Sequence, residues 1–228
     1  MFAAIGIVAA SILGAGLAIG LNLDGAFTMP ARMPATSQDR SALVTLAVWQ
    51  TITVLLTLIA SFFFGGRPRD VLALRSAAAA PSVYPKALVL MFVLQMGVSA
   101  VQYFVIPDDM FNDLRPFVQF VSGNDWLLAF VVVGIGAPLS EELLFRGFLL
   151  SALARSRLGF WGAAVLVSGL WTALHVGYSL AGIIEVFLIG IYFSWLLWRT
   201  GSLRVAIFCH ALYNSLIVLV LRHVPLPT

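Results

Sequence analysis

Apolar residues run along this chain in long uncharged stretches, not in the alternating stripes of a water-soluble fold. Residues 1–23 carry no charge, nor do 41–66 or 87–107. From 126 the chain is apolar as far as Glu141 and stays helix-friendly to Arg155. Residues 158–198 are broken only by His175 and Glu185, and 205–221 form a last apolar run. A bilayer crossing needs about 20 such residues. The 158–198 stretch is therefore long enough for two helices, with the turn expected near Gly177, Tyr178 and Ser179. The pattern predicts an all-α, polytopic transmembrane helix bundle of about seven spans. Segments 67–75 and 108–125 mix charges with Val, Leu and Phe, which predicts one or two short amphipathic helices lying on the membrane surface.

The first stretch has no basic residues ahead of it, so it is read as a retained helix and not as a secretory signal. Orientation follows the Lys/Arg bias of the loops. With the N-terminus inside, the inner loops hold Arg67, Arg69, Arg75, Lys86, Arg155, Arg157, Arg199 and Arg204. The outer loops and tail hold only Arg32, Arg40, Arg115 and Arg222. The expected arrangement has the N-terminus in the cytoplasm. We expect a single integral membrane domain over 1–228, with no recognised motif in 1–125 and a catalytic core over 126–221.

Composition sharpens this picture. Hydrophobic residues make up 61% of the 228 and charged ones only 10%, against about 25% charged in a soluble domain. Disorder is excluded. A net charge of +3 without basic clusters argues against nucleic acid as a partner. One cysteine, Cys209, cannot form an internal disulfide and reads as a small packing residue. Twelve Arg against one Lys hints at a GC-rich bacterial genome, hence a bacterial inner membrane.

The informative residues are the polar ones inside the apolar runs, because an ionisable group there costs at least a few kcal/mol and is a functional candidate by default. They are Glu141, Glu142 and Arg146 in the fourth span, His175 in the fifth, Glu185 in the sixth, and His210 with Asn214 in the last. Glu141 lies near the middle of its span, about 22 Å from either end. Glu142 and Arg146 are four apart and share a helix face, so they can pair. Glu141 points about 100° away and is left free for chemistry. Gly134, Gly136 and Pro138 precede the pair and should kink or thin the helix there. Trp171 and His175 share a face, as do His210 and Asn214. A carboxylate, two imidazoles and an amide can activate water and stabilise an oxyanion. Glu141, His175 and His210 could alternatively hold Zn2+. Asn214 is a poor zinc ligand and a good amide donor, which favours the metal-free reading.

These residues resemble the signatures of the CPBP family of intramembrane proteases, also called the CAAX protease and bacteriocin-processing (Abi) family. The first is Glu141-Glu142-Leu143-Leu144-Phe145-Arg146. The second is Trp171-Thr172-Ala173-Leu174-His175, with Trp where the family usually has Phe. The third is His210-Ala211-Leu212-Tyr213-Asn214. The resemblance spans roughly 126–221. It implies a catalytic Glu141, His175 sharing the activation of water, His210 and Asn214 as the oxyanion site, and Glu142 with Arg146 in support. Metal-dependent and metal-free mechanisms are both attached to the family. There is no HExxH of an ordinary zincin.

Taken singly, each residue has a plainer reading. The Glu142–Arg146 pair could be structural, and Glu185 a helix-end or cavity residue. The set of Glu141, His175, His210 and Asn214 is what points to catalysis. The expected function is an intramembrane endopeptidase acting on a membrane-associated peptide or protein. A non-catalytic immunity or scaffold protein is the first alternative. A proton-coupled transporter is the second, and it is disfavoured by the short chain without an inverted repeat.

Overall fold

The computed structural model describes residues 35–226 apart from Gly65, Ala79, Asp108 and Asp109. The expected first span, 1–23, lies outside the described residues. Eight helices follow in chain order. They are α1 (Ala35–Phe62), the single turn α2 (Pro68–Val71), α3 (Val83–Val105), α4 (Arg115–Ser122), α5 (Trp126–Leu153), α6 (Gly159–Thr172), α7 (Leu180–Thr200) and α8 (Leu203–His223). Within the described residues there is no strand, so the all-helical expectation is met.

Five of these helices are long and apolar enough to cross a membrane: α1 from Asp39, α3, α5, α7 and α8. They expose Val44, Leu55, Phe62, Val93 and Phe104 among many large apolar side chains, as lipid-facing surfaces do. Of the expected spans within the described residues, α6 is the one that is not among these five. Its 14 α-helical residues rise only about 21 Å, short of a hydrocarbon core of about 30 Å. It tightens into a 3-10 turn, Ala173–His175, and the chain reverses at the expected place. There Ser179 caps α7, its Oγ accepting from the Gly182 N–H at 3.1 Å. Asp113 fastens this turn by accepting from the Ser179 N–H and hydroxyl, each at 2.7 Å. The two segments expected to hold short amphipathic helices each contain one. Helix covers only Pro68–Val71 of the first and Arg115–Ser122 of the second.

α5 is the spine of the site, and it is not a uniform α-helix. It widens to π-helix over Phe130–Gly136 and again over Leu143–Leu150, with Ala137–Glu142 as α-helix between. Such wide turns free backbone groups and often sit at functional sites. Pro138 also has no N–H to return to the carbonyl of Gly134. Side chains of neighbouring helices donate to carbonyls of this stretch. Gln50 Nε2 on α1 donates to the Val132 carbonyl at 3.1 Å, Asn214 Nδ2 to Val133 at 3.2 Å, and Ser215 Oγ to Gly134 at 3.3 Å. This close approach requires glycine: a Cβ on Gly134 would stand 2.8 Å from Ser215 Oγ. The main apolar core forms between the second half of α5 and α6, α7 and α8, with Phe145, Phe148, Val167, Phe193 and Leu203 buried.

Candidate active site

The α-helical turn between the two π-stretches presents the adjacent glutamates, and the structure separates their environments. Glu142 is fully buried. Its Oε1 accepts from Arg146 Nη1 and from His210 Nδ1, each at 3.0 Å. Arg146, also fully buried, lays its guanidinium 4.3 Å from the centre of the Trp171 ring and 5.5 Å from that of Phe193. Cation–π contact of this kind is worth up to about 2 kcal/mol when desolvated. Gly190 on α7 makes room for this packing, since a Cβ there would meet Ser168 Cβ at 2.9 Å and Arg146 Nη2 at 3.0 Å. The pair expected from four-residue spacing is therefore present, and it has a third member, His210.

Glu141 is only half-buried. Its Oε2 accepts the indole N–H of Trp171 at 2.7 Å. From the sequence, Trp171 is an aromatic residue sharing a helix face with His175. The structure makes it a polar partner as well, a role Phe could not fill. The same indole stands between the two imidazoles, 5.3 Å from His175 and 5.6 Å from His210 between ring centres. His210 also stacks on Phe193 at 4.9 Å.

Hydrogen-bond partners assign the protons. His175 Nδ1 lies 3.1 Å from the Trp171 carbonyl. A carbonyl only accepts, so Nδ1 carries a proton, and in the neutral imidazole Nε2 keeps its lone pair. His210 Nδ1 likewise donates to the Glu142 carboxylate. Its Nε2 can then act as a donor only in the imidazolium form. Asn214, one turn further along α8, spends one N–H on the Val133 carbonyl and has a second to offer.

The expected alternative, Zn2+ on Glu141, His175 and His210, does not fit this arrangement. Among the described residues no three His, Cys, Asp or Glu converge closely enough to hold a metal ion. Trp171 Nε1 and Arg146 Nη1 place donor protons on the two carboxylates, and both Nδ1 atoms are used within the protein. Cys209, buried in the core, is no substitute ligand. Glu185 stands apart from this group, bonded to residues of α3. The residues that sequence reasoning missed are Phe193 and the Gln95–Tyr213 contact beside Glu185. Nothing in their local spacing marks them.

The chain shares 37% identity over 122 residues, half its length, with an Escherichia coli protein described as an uncharacterized 24.3 kDa protein. It shares 30% over 131 residues with the uncharacterized protein YyaK of Bacillus subtilis (strain 168), covering 54% of this chain. The chain spans about half the length of these curated relatives, 56% and 42% respectively. No solved structure matches. Residues 123–216, which hold Glu141, Glu142, Arg146, His175, His210 and Asn214, match the model of the family described as Type II CAAX prenyl endopeptidase Rce1-like.

Proposed function

We propose that the chain is an intramembrane endopeptidase that cleaves a membrane-associated peptide or protein with a water activated by Glu141 and His175. The observation that carries this reading is the contrast between two adjacent carboxylates. Glu142 is sealed and committed to Arg146 and His210. Glu141 is reachable and held in position by Trp171. Both relatives are bacterial, which fits a bacterial cytoplasmic membrane.

The chemistry follows from the hydrogen-bond assignments. A water between Glu141 and the His175 Nε2 lone pair gives a proton to the Glu141 carboxylate as its oxygen attacks the scissile carbonyl carbon. The negative charge moves to the carbonyl oxygen, where His210 Nε2–H and the second Asn214 N–H donate to it. Collapse breaks the C–N bond, and Glu141 returns its proton to the leaving nitrogen. The products are a carboxylate and an amine. Glu142 orients His210 by accepting from its Nδ1, and Arg146 pairs with Glu142.

The test is cleavage of membrane-protein substrates by the full chain in proteoliposomes. Substrates would be found by comparing membrane proteomes of cells carrying the wild-type chain or Glu141→Gln. New peptide termini that appear with the wild type and not with Glu141→Gln support the reading. Identical termini in both would rule it out.

A further inference from the structure

Glu185 lies in a second polar cluster that the proposed reaction does not use. Its Oε1 accepts from Gln95 Nε2 at 2.5 Å and its Oε2 from Gln102 Nε2 at 3.2 Å. Both glutamines are on α3. Gln95 Nε2 also donates to Tyr213 Oη at 2.6 Å, and Tyr213 adjoins Asn214 on α8. Two neutral amides spread the carboxylate's charge without cancelling it. Among the described residues no Lys, Arg or His forms an ion pair with Glu185. Gln95 is only 6% exposed, and its Oε1 has no hydrogen-bond partner. A membrane-embedded carboxylate without a counter-charge, beside a buried amide acceptor without a donor, has the chemistry of a receptor for a cation that donates hydrogen bonds.

The space in front of this cluster is shaped for an apolar chain. A groove of about 330 Å³ runs between α3 and α7, and both Gln95 and Glu185 line it. Trp161, Trp195 and Tyr192 give it aromatic walls, which attract cations as well as apolar groups. Leu94 and Leu188 in its wall are exposed on the outer, lipid-facing side. Glu185 is the sixth residue of α7, about 7–8 Å from the start of that helix. Basic residues that flank a membrane-spanning segment sit at this depth, since their long side chains reach towards the interface.

We propose that the α3–α7 groove docks a membrane-inserted peptide and that Glu185, with Gln95, receives a Lys or Arg near the end of that peptide's apolar stretch. The proposal rests on the endopeptidase reading only for identifying this peptide as the substrate.

Binding can be measured without turnover. The full chain in phosphatidylcholine liposomes is titrated with a quencher-labelled, 20-residue Leu/Ala peptide, and quenching of tryptophan fluorescence reports occupancy. One peptide carries a single Lys near one end, and its control carries Gln at that position. The wild type should bind the Lys peptide about tenfold more tightly than the Gln peptide, as close charge pairs at interfaces permit. Glu185→Gln should erase the difference while leaving the Gln-peptide affinity unchanged, which also certifies its fold. Equal affinities for the two peptides on the wild type would overturn the proposal even if no variant folds. So would a preference that survives Glu185→Gln, or quencher-labelled phosphatidylcholine displacing both peptides alike. Failure to cleave any substrate would sink the endopeptidase reading and leave this measurement standing.

Discussion

The indole N–H of Trp171 donates to the Glu141 carboxylate across 2.7 Å, joining the end of α6 to the middle of α5. This bond restricts a half-exposed carboxylate to one orientation and presses the same indole against Arg146 and both histidines. It links the free glutamate to the buried Glu142–Arg146–His210 group through a single side chain.

Trp171→Phe tests that link directly. The aromatic volume is largely kept and the donor is lost. A hydrogen bond to a charged group is worth about 1.5–3 kcal/mol, so kcat should fall by about tenfold or more with KM little changed. Steady-state kinetics in proteoliposomes measure it, and an unchanged kcat would reduce Trp171 to packing.

The two glutamates should fail in different ways. Glu142→Gln leaves the buried Arg146 without its counter-charge, and removing one partner of a buried pair costs about 3–5 kcal/mol. Glu141→Gln keeps a group that accepts the Trp171 N–H and should lose turnover with a far smaller drop in Tm. Glu142 Oε2 and Arg146 Nε and Nη2 have no hydrogen-bond partners, so the pair is poorly compensated. Combining Glu142→Leu with Arg146→Met should therefore recover much of the lost stability, without activity. Thermal melts in detergent compare the variants, and equal losses for the two single Gln variants would contradict the division of labour.

Asn214 has two jobs in this arrangement, so Asn214→Ala should show two effects. Loss of an oxyanion donor lowers kcat by about 10²–10³-fold with KM little changed. Loss of the donor to the Val133 carbonyl leaves a backbone acceptor unpaired, at about 1–3 kcal/mol, and lowers Tm. A normal Tm would remove the anchoring role. A raised KM at unchanged kcat would move Asn214 to substrate binding.

Metal removal gives a separate check. Because Glu141, His175 and His210 do not gather round one point, activity should survive chelation, and elemental analysis of purified protein should find no stoichiometric zinc. Stoichiometric zinc whose removal abolishes activity, and whose return restores it, would require a different arrangement of these residues.

Much of this architecture was legible before any coordinates, because it depends on neighbours along the chain. Charge-free length marked α1, α3, α5, α7 and α8. Four-residue spacing on one helix marked the Glu142–Arg146 pair, and the turn before Ser179 lay where expected. Periodicity could not show that α6 stops after 14 residues, since its apolar sequence would allow it to continue. The end is set where Asp113, 66 residues away, fastens the turn at Ser179. Nor could spacing say which imidazole meets which carboxylate. His210 reaches Glu142 across 68 positions, Trp171 reaches Glu141 across 30, and Gln95 reaches Glu185 across 90. The sequence by itself determined that these polar groups lie inside membrane helices and which of them share a helix face, because hydropathy and helical period are local properties. Only the tertiary structure decided which partner each group takes, because that depends on how closely the helices pack, and small residues such as Gly134 and Gly190 set that distance.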